Sequence, residues 1–166
     1  MRFGPVLALT CIVLLPVTAA HAQSSRDACE MVDASLLQTT LGTTPEIAEQ
    51  SGAGTGISFC HWRGADEQGV RLHSITQASQ GIVGGTALEY FEQHATNQVA
   101  NLGAANVAKI EGPWQSAQMV DVTTEANPQQ FYSITFINKD DTVTVETYGL
   151  PKQATITVAS AVAEAM

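Results

Sequence analysis

Two cysteines, Cys29 and Cys60, are all that remain of this residue type once a leader-like first segment is set aside, and that pair constrains the fold more than any other feature. The leader reads from its composition. Met1-Arg2 is a short positive start, Val6 to Val17 is an almost unbroken apolar run, and Ala20-His21-Ala22 offers small residues at −3 and −1. The apolar run is shorter than the roughly 20 residues that cross a bilayer, and no later segment qualifies, so no membrane span is expected. Residues 1–22 are therefore expected to be a cleaved signal peptide, with Gln23 to Met166 exported to the periplasm or secreted. A lipoprotein reading would anchor the chain at Cys11, but Leu9 and Thr10 fit that motif poorly. In an oxidising compartment Cys29 and Cys60 allow one intramolecular pairing, which would stabilise the fold by roughly 3–4 kcal/mol on the chain-entropy model. The alternative is a reactive thiol pair. No Cys-x-x-Cys is present, and His61 beside Cys60 is the sole hint of activation.

Composition bounds the rest. The 166 residues suit one domain, residues 23–166, and 45% hydrophobic residues suffice for a packed core. Loss of Arg2 with the leader leaves six Lys and Arg against sixteen Asp and Glu, a formal charge of −10. Such a chain has no basic stripe for a nucleic-acid backbone and no general attraction to anionic lipid.

The periodicity predicts an α+β domain in the order α-ββ-α-ββββ-α, an antiparallel sheet whose core face is covered by helices. Cys29 to Val32 leads in, Asp33 is an N-cap, Leu36, Leu37 and Leu41 form a helical face, and Gly42 is the stop. Thr43 to Gly56 reads as a mobile loop. Ile57 to Arg63 and Val70 to Gln77 read as a hairpin across Gly64 to Gly69, followed by a glycine-rich loop over Gln80 to Gly85. Thr86 and Glu89 make a capping box, and Leu88, Phe91, Ala95, Val99 and Leu102 make one apolar stripe ending at Gly103. Strands are expected at Asn106–Glu111, Gln115–Thr123, Phe131–Asn138 and Thr142–Tyr148. Ala126-Asn127-Pro128 and Lys139-Asp140-Asp141 punctuate them, and a final helix follows Pro151 with Ile156, Ala159, Val162 and Met166 inward. Both halves contain strands followed by a helix, a hint of a structural repeat without residue-level support.

Asp27-Ala28-Cys29, the short helix ending at Gly42, the Gly/Ser loop and Cys60-His61-Trp62 together resemble a family of small exported bacterial proteins and lipoproteins classed as domains of unknown function. The resemblance extends through Thr142 to Tyr148 and the Ala-rich last helix. It implies a PsbP-like α/β sandwich and a Cys29–Cys60 disulfide, and brings no catalytic residues. The chain departs from the usual member in lacking a lipobox.

Chemistry is sparse. His61, His73 and His94 are twelve and twenty-one residues apart, which is no zinc pattern, and no metal or cofactor is expected. Nucleophilic hydrolysis has no Gly-x-Ser-x-Gly elbow, and Ser58 and Ser74 have no assigned base. Asp66-Glu67 and Asp140-Asp141 fall in expected turns, where carboxylates are solvated rather than tuned. Gly52 to Gly56 lacks the Lys of a phosphate loop. Trp62 is expected to pack near the cysteines. Trp114, Tyr90 and His94 are read as core or boundary residues.

The hairpin carries the sharpest expectation. A turn centred on Glu67 sets His61 opposite His73 and Arg63 opposite Arg71 on one sheet face. Opposed like charges recruit acids or an anion, so His61, Arg63, Arg71 and His73 form a candidate spot for an anionic ligand or acidic partner, strengthened below about pH 6.5. The bland version has Asp66, Glu67 or a helix carboxylate neutralise it. Two functions follow: a monomeric exported binding or accessory protein without enzymatic activity, acting on an unknown protein or small ligand, or a small periplasmic hydrolase assembled around His61, His73 and nearby acids. The first is preferred, because no catalytic constellation is legible.

Overall fold

The computed structural model describes residues 26–52, 56–76, 86–121, 123, 129–139 and 141–166. The expected leader at 1–22, the loop expected over 80–85 and the turn expected at 126–128 lie outside the described residues. Asp27 accepts from the Cys29 N–H and caps a 3-10 turn, Ala28–Glu30. Asp33 then accepts from Ser35 and Leu36 N–H groups to start α1, Ala34–Leu41, and Gly42 ends it with φ of 66°, a conformation open to glycine. Strands β1 (Glu46–Ser51), β2 (Ile57–Arg63) and β3 (Gly69–Ile75) follow, then α2 (Ala87–Leu102), opened by the reciprocal Thr86–Glu89 capping box. Strands β4 (Val107–Lys109), β5 (Ser116–Asp121), β6 (Phe131–Asn138) and β7 (Asp141–Tyr148) lead to α3, Lys152–Ala165.

The seven strands form one antiparallel sheet ordered β1-β2-β3-β7-β6-β5-β4. Two meanders, β1–β3 and β4–β7, therefore meet at their last strands, β3 against β7. Each is followed by a helix, but the two helices lie on opposite faces. On the inner face α1, α3 and the 3-10 turn cover Cys60, Trp62, Val70, Leu72, Ile134, Phe136, Val143 and Val145, all buried. The Cys29–Cys60 disulfide, with Cα atoms 5.1 Å apart, ties the 3-10 turn to β2. The Ala28 N–H also donates to Ser58 Oγ at 2.8 Å, so Ser58 has a structural partner. Trp62 sits in the same cluster as Cys60, and Trp114 stacks on Phe136 with centroids 5.5 Å apart. On the outer face α2 lies over β6, β7 and β4, where Phe91 and Ala87 pack on Ile137. No described helix is long and apolar enough to cross a membrane.

Several expectations are corrected. Residues within the expected loop Thr43 to Gly56 form β1, exposed along its whole length and paired only with β2. The expected stripe on α2 is only partly used: Phe91 is buried, while Leu88 and Val99 stay 42% and 40% exposed. On α3 Ala159 and Val162 are buried as expected and Ile156 and Met166 pack against the core partly buried, while Thr155, Val158 and Ala163 are buried beside them. The hairpin register is the correction with functional weight. The turn is centred on Asp66, and His61 pairs with Arg71, Arg63 with Gly69 and Phe59 with His73. Asp66 and Glu67 both take left-handed backbone, φ of 52° and 60°, and the Gln68 N–H donates to the Ala65 carbonyl. The centre lies one residue earlier than a turn on Glu67 and the connection is two residues shorter, which moves every cross-strand partner by two positions and leaves each side chain on its face.

Candidate functional site on the outer sheet face

The residues singled out on the hairpin do share the outer face, and β7 completes their surroundings. One cross-strand row runs Glu49, His61, Arg71, Glu146, Ser133; the next runs Phe59, His73, Thr144, Thr135. Arg63 lies at the exposed end of β2, paired with Glu46 of β1 and Gly69 of β3.

Tyr148 organises the centre. Its partner across the ladder is Gly69, and a Cβ there would collide with the phenol ring. The missing side chain lets the ring lie across β3, where its hydroxyl meets His61 Nε2 and its face supports the Arg71 guanidinium, Cζ 5.2 Å from the centroid. Arg71 Nη1 lies 3.9 Å from Glu146 Oε2, and His73 Nε2 lies 4.0 Å from the same oxygen. Both separations exceed hydrogen-bond length. Arg71 Nε is buried with no hydrogen-bond partner among the described residues. The guanidinium thus rests on the Tyr148 ring and within ion-pair distance of Glu146, and its Nε–H has no hydrogen-bond acceptor among the described residues.

A cleft of about 210 Å³ adjoins this group, between α2 and the ends of β3 and β7. His73, Ile75, Tyr90, His94, Thr142, Thr144 and Glu146 line it. Tyr90 and His94 stack one turn apart on α2, with centroids 6.3 Å apart. His94 Nε2 meets Gln98 at 3.1 Å and Thr135 Oγ1 at 3.5 Å, and Thr135 shares a hydrogen bond of 3.0 Å with Thr144. Thr142 Oγ1 is buried beneath the cleft with no partner among the described residues.

Removal from water and then the positive charges of Arg71 and Arg63 hold His61 below the ordinary histidine range, against a smaller opposing effect of Glu49. Withdrawal from water also lowers His73, opposed by Glu146 and assisted by Arg71. It lowers His94 too, again opposed by Glu146. At neutral pH the three imidazoles are therefore uncharged, and the formal charges at the centre are those of Arg71 and Glu146.

Neutralisation comes from Glu146 on β7, rather than from Asp66, Glu67 or a helix. Glu146, Tyr148 and the cleft-facing role of His94 were missed from sequence. The available signal was Glu146 itself, the lone charge in Thr-Val-Thr-Val-Glu-Thr-Tyr, but its neighbours depend on the β3–β7 pairing. Base-assisted hydrolysis would need a nucleophile hydrogen-bonded to a histidine. Here His61 meets the Tyr148 hydroxyl, His94 Nε2 stands 3.5 Å from Thr135 Oγ1, and His73 faces Glu146. Among the described residues no three His, Cys, Asp or Glu side chains converge at metal-binding spacing. Comparison with family models, with curated proteins and with solved structures finds no match to this chain.

Proposed function

We propose that this protein is an exported, monomeric binding protein without catalytic activity that holds a small molecule by an oxyanion, a carboxylate or phosphate-like group, at Arg71. The observation that carries the reading is the Arg71 guanidinium: set over the Tyr148 ring, part-exposed, 3.9 Å from Glu146 Oε2, and with an Nε–H that has no hydrogen-bond acceptor among the described residues. A planar fork held still by an aromatic face loses little conformational freedom on binding and matches an oxyanion in two parallel bonds. The adjoining cleft offers the rest of the ligand a mixed apolar and hydroxyl surface. Export rests on the leader-like residues 1–22, on the resemblance to exported bacterial proteins and on the Cys29–Cys60 disulfide, which is at home in an oxidising compartment.

Two measurements test the proposal. The mass of the protein from a periplasmic or culture-fluid fraction should correspond to Gln23–Met166 less two hydrogens; a retained leader would overturn export. Titration with acetate and with inorganic phosphate, followed by backbone amide shifts, should move Arg71, His73 and Tyr148 together and saturate. Arg71→Ala should abolish saturation, and shifts that survive that substitution would overturn the assignment of the site.

A further inference from the structure

The centre that carries Arg71 also carries an acid, and the two are spaced for a ligand bearing both charges. We infer that the site takes the zwitterionic head of a free α-amino acid, its carboxylate on Arg71 and its ammonium on Glu146, with the side chain in the cleft beneath α2. The inference rests on the oxyanion reading above and narrows the ligand within it.

Three observations carry it. First, Arg71 Nη1 and Glu146 Oε2 are 3.9 Å apart, within ion-pair distance but beyond hydrogen-bond length, so both can also face one small molecule. In an amino acid the ammonium nitrogen and the nearer carboxylate oxygen are about 3 Å apart, so one head group can sit across the pair. Both side chains remain part-exposed, at 42% and 23%, so a ligand can reach them. Second, Glu146 also lines the cleft, which places the Cα of such a ligand at the cleft mouth. The cleft of about 210 Å³ leaves room for a short side chain against Ile75, Tyr90 and His94. Third, sixteen acidic residues face seven basic ones in the chain. A free anion approaches against that field, whereas a zwitterion carries no net charge and meets no such penalty.

Calorimetric titration of the disulfide-bonded protein at pH 7 with L-leucine, N-acetyl-L-leucine, L-leucinamide and inorganic phosphate tests this. L-Leucine should bind at least tenfold more tightly than the acetylated compound, which lacks the ammonium, and than the amide, which lacks the carboxylate. Glu146→Gln should cost L-leucine at least tenfold while leaving N-acetyl-L-leucine and phosphate unchanged or stronger. Arg71→Lys, which keeps the charge and loses the planar fork, should weaken every carboxylate ligand. Equal binding of L-leucine and N-acetyl-L-leucine would overturn the zwitterion assignment and leave the oxyanion reading standing. Binding of none of the four, with near-UV circular dichroism unchanged, would overturn both.

Discussion

At the scale of single residues, a glycine shapes the outer-face site and a hydroxyl pair is buried on the inner face. Gly69 is the residue over which Tyr148 lies, and a methyl group there meets the far end of that side chain. Gly69→Ala should displace the phenol ring at a stability cost of about 1 kcal/mol. The same displacement takes away the support of Arg71 and the contact with His61, so oxyanion binding should fall much further than stability. Amide shifts of Arg71 and the thermal midpoint, measured on one sample, separate the two effects. On the inner face Thr147 and Thr155 are fully buried and hydrogen-bond each other through their hydroxyls. Thr155→Val should cost about 1–3 kcal/mol because it strands the Thr147 hydroxyl, whereas the Thr147→Val/Thr155→Val double variant should recover most of that loss. Chemical denaturation of the wild type and the two variants measures it.

At the scale of elements, α2 shows how a legible helix can be seated in an unexpected way. Its capping box and its apolar stripe read directly from sequence, because both depend on residues within one or two turns. The helix uses that stripe unevenly: Phe91 is buried against Ile137, while Leu88 and Val99 stay part-exposed, Val99 at a cleft over Val107 and Gln118. Phe91→Ala should therefore cost about 3 kcal/mol, and Leu88→Ala or Val99→Ala less than about 1 kcal/mol, by urea denaturation. Strand β1 was illegible for a different reason. Glu-Ile-Ala-Glu-Gln-Ser buries nothing on either face, so it has no period to detect and is held by backbone pairing with β2. The β2–β3 hairpin was read with correct faces and a register two residues off. Asp66 and Glu67 adopt left-handed backbone without a glycine, so the Asn-Gly or Asp-Gly signal of such a turn is missing.

At the scale of the whole molecule, acid stability follows from the three histidines. His61, His73 and His94 are each held below the ordinary histidine value in the folded state, so the unfolded chain binds protons more readily as pH falls. Their contribution to stability is complete above about pH 6.5 and is lost as pH falls from there through their folded values. The thermal midpoint should accordingly drop between pH 7.5 and 5, and His73→Gln should flatten that drop; a flat wild-type profile would refute it. A second loss belongs at lower pH. Asp33 and Glu89 are held below the usual carboxylate range by the hydrogen bonds of their helix caps, and their contribution disappears as they protonate.

The same scale separates what was decided locally from what was not. Sequence alone determined the α+β class, the caps of α1 and α2, the faces of β2 and β3 and the pairing possibility of two cysteines, since each depends on neighbours a few residues apart or on simple counting. The β3–β7 pairing, across some seventy residues of chain, needed the whole sheet: strands of similar pattern compete for each edge, and the winner is set by the apolar area buried when all layers close together. That pairing puts Glu146 between Arg71 and His73 and Tyr148 over Gly69. Charges legible one by one along the chain became a site only there, because electrostatics at 4 Å depends on tertiary distance and not on position in sequence.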